Sequence, residues 1–466
     1  MDPMTNSPGR VVIIGASFAG LFAAAALARA GAEVTLLERD RLPDRIEPRP
    51  GVPQGSQPHV LLHRGLLTAE RLLPGLEQEI IEAGGLFLDT GEMPWLGAYG
   101  WSPTHLPSYE IVSISRPVLE HLVRRRTLEI PGVTLREGFR VNGLRHTGRW
   151  EVQGAAGERI VAELVVDASG RGSRLSHWLD EMGCAVGEAE TVEARLGYAS
   201  RRYQGPERPP LDTGLVIVPT TQSPVGATIL PVEDRQWLAL ADGYGDRRPS
   251  RDPDEFADFF AGLRDSAAAD LLSCLQPLGD VAVYRQTGNR RMPYAQAERW
   301  PAGLVVIGDA LCAFNPIYGQ GMTVAVLQAE LLGSGIGRLH DERTTRRLQR
   351  RLAAVTDLPW SVATSEDLRQ LPGGIRQTAV QRLFGWWTER VGRLAVAGDP
   401  ACAAAFSEIY HLVGSPRQLF APAVLAAVLR STIRGVPRPM PRPAALDSIP
   451  VPTDRDEDPT GLRQDR

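Results

Sequence analysis

Val11–Gly20 reads VVIIGASFAG, and this stretch decides the fold. Val11-Val12-Ile13-Ile14 is a run of β-branched apolar residues, the composition of a strand covered on both faces of a parallel sheet. Gly15 permits a tight turn directly after it, and Gly20 lets the following helix, Leu21 to Arg29, lie close to the sheet. The N-terminus of that helix offers free N–H groups and the positive end of a dipole, which together suit a pyrophosphate. A second strand, Glu33–Leu37, ends at Glu38, 18 residues past Gly20. An acid in that place binds the adenosine ribose hydroxyls of a dinucleotide. Arg39, next to it, is a further cofactor-binding candidate. The middle glycine of such a turn is absent and Ser17 stands there, small enough for a phosphate to approach.

About 290 residues later comes GDALCAFNPIYGQGM, Gly308–Met322. Gly303-Leu304-Val305-Val306-Ile307 reads as another buried strand running directly into Gly308-Asp309. Pro316, Gly319 and Gly321 then break regular structure before an apolar helix, Met322–Leu332. The residues alone also admit a plainer account, with Asp309 as a helix N-cap and the glycines as an ordinary loop. The pattern resembles the ribityl-binding motif of group A flavoprotein monooxygenases. There the Asp binds a ribityl hydroxyl, and backbone N–H groups at the helix start face the N1–C2=O edge of the flavin. Reduction places negative charge at that edge, and a helix N-terminus stabilises it. The resemblance implies non-covalent FAD, held at its pyrophosphate by Gly15, Ser17 and Gly20 and at its ribityl half by Asp309, Pro316, Gly319, Gly321 and Met322.

A third segment, Glu163–Gly170 (ELVVDASG), continues as Arg171-Gly172-Ser173-Arg174. It resembles the middle motif of the same family, whose Asp-Gly contacts both FAD and NAD(P)H. Ser169 takes the place of that Asp, and the nearest acid is Asp167. This variant resembles the branch holding polyether epoxidases, flavin halogenases and isoprenoid reductases, and direct docking of NAD(P)H is not expected from it. Arg116, opening a helical stretch to Arg126, matches the family's FAD-contacting Arg. A solvated Arg at a helix start fits that position equally well.

Composition sets bounds. The 466 residues suffice for two or three domains with large cores. Hydrophobic content of 43% and charge of 23% are those of a soluble globular protein. A net charge of −4 gives no reason to expect nucleic acid or an anionic membrane as a partner. No apolar run reaches membrane-spanning length and Met1–Arg10 lacks a secretory core, so the expectation is a cytoplasmic protein with no integral membrane segment. Cys184, Cys274, Cys312 and Cys402 have neither disulfide nor metal spacing. The chain has no Lys, which counts against a halogenase, since flavin halogenases use a Lys beside the flavin.

The expected fold class is α/β: a Rossmann-like FAD-binding domain with a discontinuous antiparallel-sheet substrate domain and a helical C-terminal region. Residues 1–37, 100–185 and 285–340 build the FAD part, with 38–99 contributing a flavin-edge loop and helices, the first starting near Val60. The 190–285 segment reads as strands at Glu193–Tyr203, Leu215–Thr220, Ala227–Pro231, Trp237–Ala241 and Val281–Arg285, with one helix, Asp254–Leu263. Helices are expected at Arg343–Val355, Thr378–Val396, Ala401–Leu412 and Pro422–Ile433 within 341–435, followed by a disordered Pro-rich tail, 436–466.

The loop Arg49–His63 (RPGVPQGSQPHVLLH) supplies the catalytic candidates, Gln54 and His59. In the resembling family this segment passes along the isoalloxazine, while by composition alone it is equally a surface loop. Trp95, Tyr99 and Tyr294 are substrate-site candidates. Trp101 and Arg290–Met292 are placed near the same cavity. Over residues 10–435 the chain resembles group A FAD-dependent monooxygenases with the para-hydroxybenzoate-hydroxylase-like fold. The closest likeness is to the epoxidases of polyether polyketide biosynthesis, through GVPQ at Gly51–Gln54, VVDASGRGS at Val165–Ser173, the Gly303–Met322 segment and WSVATSED at Trp360–Asp367. The resemblance implies oxygen transfer from O2 through a flavin C4a-hydroperoxide to an alkene of a lipophilic polyketide or terpenoid, as in antibiotic biosynthesis. Reducing equivalents would come from NAD(P)H, directly or through a flavin reductase. An aromatic hydroxylase of the same fold and a flavin-dependent double-bond reductase are the alternatives. Epoxidation needs no base on the protein, whereas phenol hydroxylation does, and none of the eight His lies in a base motif.

Overall fold

A computed structural model describes residues 9–450, except Pro50, Pro107, His340 and 372–378. The strand Arg10–Ile14 lies at the centre of a five-stranded sheet, all of whose pairings are parallel. Glu33–Leu37 and then Val133–Arg136 lie to one side, with Leu164–Asp167 and then Leu304–Val306 to the other. All three family-like segments therefore end on the carboxyl edge of adjacent strands, the edge where open α/β sheets bind ligands.

The helix Phe18–Arg29 carries Ala23, Ala24, Ala25 and Ala26 without exposed surface or nearly so. These short side chains let it pack closely against the helix Gln320–Gly335, which follows the second segment. Gly15 has φ +101°, and a Cβ on Gly20 would lie 1.9 Å from the Gly15 carbonyl oxygen. Only glycine at position 20 permits that approach.

A second sheet has seven strands. Gln276–Tyr284, Leu196–Gln204, Gln236–Tyr244, Val225–Val232 and Leu215–Ile217 pair antiparallel in that spatial order. Trp95–Gly97 joins parallel to Leu215–Ile217 and turns back into Gly100–Trp101. One face of this sheet is closed by Phe256 and Phe260 of the helix Pro253–Ala261 and by Ala267–Ser273, a short helix that the sequence did not signal. The other face is turned towards the parallel sheet and bounds the cavity described below.

The C-terminal helices are Glu342–Ala354, Asp357–Arg369, Ala379–Val396, Pro400–Tyr410 and Pro422–Arg434. Asp341 and Asp399 accept first-turn N–H groups as N-caps, and Pro400 sits at the first helical position. Asp357–Arg369 contains the WSVATSED segment. No helix among the described residues is long and apolar enough to cross a membrane.

Two expectations are corrected. Val60–Leu61 is not helical but a short strand paired antiparallel with Val112–Ser113, and the helix begins at His63. The β-branched Val60 fits that pairing. Residues 436–450, expected to be disordered, lie on the protein. Met440 bridges to Trp101, Arg442 pairs with Asp265 at 3.2 Å, and Leu446 and Ile449 are buried in the second sheet's core. A Pro-rich segment has little backbone entropy to lose, so two apolar anchors and one ion pair suffice to hold it. Residues 451–466 lie outside the described residues.

Candidate active site

The carboxyl ends of the first two parallel strands and the N-terminus of Phe18–Arg29 open onto a cavity of about 650 Å³, within the range of cofactor and ligand sites. Ser17 is the N-cap residue of this helix but caps none of its amides. Its hydroxyl instead accepts a hydrogen bond from Arg116 Nη2 at 3.0 Å and donates to Glu120 at 3.3 Å. The first-turn N–H groups are left for an anion.

Behind this turn lies a buried ionic cluster. Arg49 Nε donates to Glu120 at 2.8 Å, and its Nη1 lies 3.1 Å from Asp40 and 3.3 Å from Glu38. Arg116 Nη2 donates to Glu120 at 2.9 Å, and its guanidinium stands over the Phe18 ring. Burial opposes the charge on Arg49, but Glu120, Glu38 and Asp40 outweigh it and raise its pKa. Arg116 is thus a buried, paired residue rather than a solvated one.

Glu38 ends its strand with both carboxylate oxygens engaged, one by Ala16 N–H at 3.0 Å and the other by Asp40 N–H at 3.1 Å. It faces the cavity while holding the turn in shape. Glu38→Ala is expected to weaken FAD affinity and to leave FMN affinity nearly unchanged, because FMN lacks the adenosine ribose. Titration of the apoprotein with each flavin checks this. Equal losses would assign Glu38 to the turn alone.

At the other end, Asp309 faces the cavity and no protein hydrogen bond reaches its carboxyl among the described residues. Burial raises its pKa against the opposing pull of Arg171, Arg116 and Arg290. Its turn is held independently of the side chain, by Gly308 N–H donating to Gln328 Oε1 at 2.8 Å. Gly319, at φ +64°, caps the helix Gln320–Gly335 in the left-handed conformation, and a Cβ there would meet Val60 at 2.5 Å. This helix start has no side-chain cap and no acid in its first turn. A Cβ on Gly321 would touch nothing within 4 Å, so the amides open towards space.

Residues 9–357 match the family described as FAD binding domain. The chain belongs to that family. It is 30% identical over 436 residues to Protein Rv3254 of Mycobacterium tuberculosis (strain ATCC 25618 / H37Rv), covering 88% of this chain and 91% of that one. The fold is shared with flavin-dependent brominase Bmp2, at TM-score 0.64 and 17% identity over 91% of this chain and 98% of that one. It is shared also with OxyS anhydrotetracycline hydroxylase from Streptomyces rimosus, at TM-score 0.55 and 18% identity over 87% of this chain and 76% of that one.

The residues fit FAD: two uncapped helix N-termini, a cavity-facing Glu38 and an unpartnered Asp309 line one continuous space. Of the cofactor candidates, Gly15, Ser17, Glu38, Arg39, Arg116, Asp309, Pro316, Gly319, Gly321 and Met322 line it. Gly20 lies beneath it as the packing contact. Met322 Sδ accepts from Arg116 Nη1 at 2.9 Å, a direct link between the two ends.

Gln54 and His59 line the same cavity. Their loop is tied across to the second sheet, with Gln57 Nε2 donating to Ala282 O and Ser200 Oγ donating to Ser56 O. His59 Nδ1 lies 2.8 Å from Gln57 O, and since a carbonyl only accepts, Nδ1 carries the proton and Nε2 is free to accept. Burial and then Arg116 lower its pKa to about 3. His59 is a neutral acceptor and a weak base.

Three substrate candidates separate. Trp95 lines the cavity, edge-on to Tyr410 at 5.4 Å. Tyr99 lies outside it, under Arg393. Tyr294 is core, 1% exposed and against Trp300. Trp101 is core of the second sheet, and Arg291 stacks on Trp360 and pairs with Glu190. Aromatic residues near a turn signal burial in sequence and not which side of the sheet they take.

Sequence reasoning missed Tyr198, Asp242, Tyr284, Tyr318 and Tyr410, which line the cavity beside Met93, Val216, Leu230 and Leu240. The alternation Leu238, Leu240, Asp242, Tyr244 was the available signal, but an Asp at a strand end reads as a turn.

Proposed function

We propose that this protein is a FAD-dependent monooxygenase that transfers one oxygen atom from O2 to a lipophilic alkene of polyketide or terpenoid type. The observation that supports this reading is the continuity of one cavity from Glu38, past Asp309, into a chamber walled by Met93, Trp95, Val216, Leu230 and Leu240. Bound FAD, once reduced, supplies the activated oxygen. The protein's residues hold the flavin, receive the apolar chain, exclude water and orient one face of the double bond.

The tyrosines and His59 of the cavity supply no base for phenol hydroxylation. Burial raises the pKa of Tyr198, Tyr284, Tyr318 and Tyr410, and His59 is a weak base. No group among these takes a proton from a phenol near neutral pH, and an alkene requires none. The absence of Lys separates this chain from the halogenase chemistry of its brominase neighbour. Reducing the FAD-loaded protein and admitting ¹⁸O2 with a linear trisubstituted alkene tests the reading by mass spectrometry. A labelled epoxide is expected. A saturated product without oxygen uptake would make the protein a reductase, and label on aromatic probes alone would make it a hydroxylase.

Asp167 has no exposed surface and accepts from Ser169 N–H and Oγ and from Ser173 Oγ. It staples the turn and is closed to a nicotinamide. Slow anaerobic reduction by NADPH alone is therefore expected, with much faster turnover when a flavin reductase is added. Rapid saturable bleaching by NADPH in stopped flow would refute this.

A further inference from the structure

Asp242 lies in the strand Gln236–Tyr244, whose side chains alternate between two environments. Trp237, Ala239 and Ala241 enter the second sheet's core, while Leu240 and Asp242 face the cavity. Its neighbours across the sheet are Tyr198 and Gly226. A Cβ on Gly226 would come 3.0 Å from Asp242 Oδ1, so the glycine opposite leaves the carboxyl its room. Asp242 is 1% exposed, Oδ1 is sealed without a hydrogen-bond partner, and no described residue donates to the carboxyl.

A buried polar group without a partner costs free energy, and native structures keep few of them. The surroundings offer no compensation. Tyr198 and Tyr318 are the titratable groups facing Asp242, with Asp367 beyond them. The Tyr198 hydroxyl is committed to Asn315 Oδ1 at 2.5 Å. Asn315 in turn donates to Asp367, which also accepts from Tyr244 and Asn289. Those five residues satisfy one another and leave Asp242 outside their network. Desolvation, with no cation among the described residues to offset it, pushes the Asp242 carboxyl up to about 8, so at neutral pH it is an uncharged group with one O–H to donate.

We propose that Asp242 is a substrate-binding residue that donates a hydrogen bond from its carboxyl to an uncharged oxygen (ketone, ester or ether) of a lipophilic substrate. This rests on reading the chamber as the substrate site. One donor in an otherwise apolar wall fixes the register of a long chain, and with it which bond lies against the flavin. A hydrocarbon has no use for the donor. A cationic substrate would require the charged carboxylate that burial opposes, and an anionic one would meet no positive charge there among the described residues.

Infrared difference spectra of the FAD-loaded protein test the proposal, with 2-dodecanone and dodecane as probes. The spectrum should contain the carbonyl stretch of a protonated carboxylic acid that is lost as pH rises through about 8 and is absent from Asp242→Asn. The band should shift on adding 2-dodecanone and stay in place with dodecane. The pH difference spectrum of the wild type needs no variant, so it stands even if Asp242→Asn folds poorly. Thermal unfolding gives a second measurement. Because the folded pKa lies above the unfolded value of 3.8, the native state holds a proton that the unfolded state releases. Wild-type stability should therefore fall as pH rises from about 4 to 8, more steeply than that of Asp242→Asn. A carboxylate band throughout, or an acid band indifferent to the ketone, would overturn the proposal. Failure to oxygenate alkenes would defeat the monooxygenase reading and leave the ketone-induced shift standing.

Discussion

Gly20→Ala should lose bound FAD and unfold at markedly lower temperature than the wild type. The added methyl would sit 1.9 Å from the Gly15 carbonyl oxygen and 3.5 Å from Ile13 Cγ2. Gly15 belongs to the turn that we propose cradles the pyrophosphate, so relief must come from moving the helix. Phe18–Arg29 has little room to shift, because its alanines are buried and Ala26 packs against Gly333 of Gln320–Gly335. Overpacking a filled core costs about 1–3 kcal/mol and occasionally more, and here the clash is with backbone. An expected loss of about 3 kcal/mol or more combines with displacement of the helix N-terminus proposed to face the phosphates. Flavin content after purification and a thermal melt of the apoprotein measure both effects. A variant that keeps its FAD and melts like the wild type would show that the close approach is not needed.

Asp309→Ala should hold FAD roughly 10- to 150-fold more weakly, the equivalent of one charge-assisted hydrogen bond of about 1.5–3 kcal/mol. The backbone of this turn is anchored by Gly308 and Gln328, so the substitution removes a ligand contact without unmaking the turn. Asp309→Asn, which still offers an acceptor, should lose less. Titrating the apoproteins with FAD gives the affinities directly, and equal affinity in the alanine variant would remove Asp309 from the ribityl site.

Much of this architecture was legible in the chain because local rules and global fold agree. Val11–Ile14, Gly15, Gly20 and Glu38 carry strand, turn, close approach and terminal acid within one 28-residue stretch, and the structure places them so. The Gly303–Met322 segment behaves likewise, since a buried strand and a left-handed glycine are properties of single positions. Where the reading erred, a local preference was overruled from afar. Val60–Leu61 was recruited by Val112–Ser113, and Leu446 and Ile449 found a core built by residues near 260.

What the sequence by itself determined is the proposed cofactor end: the Rossmann unit and the two helix starts that border one cavity, each encoded within a few neighbouring residues. The substrate end was decided only by tertiary structure. Asp242, Tyr198, Trp95 and Tyr410 come from strands and helices spread over more than 300 residues, and they share a cavity because two sheets and a C-terminal helix close around it. Burial then makes Asp242 a neutral acid and His59 a weak base. Protonation set by desolvation depends on what surrounds a group in space, which its chain neighbours do not specify.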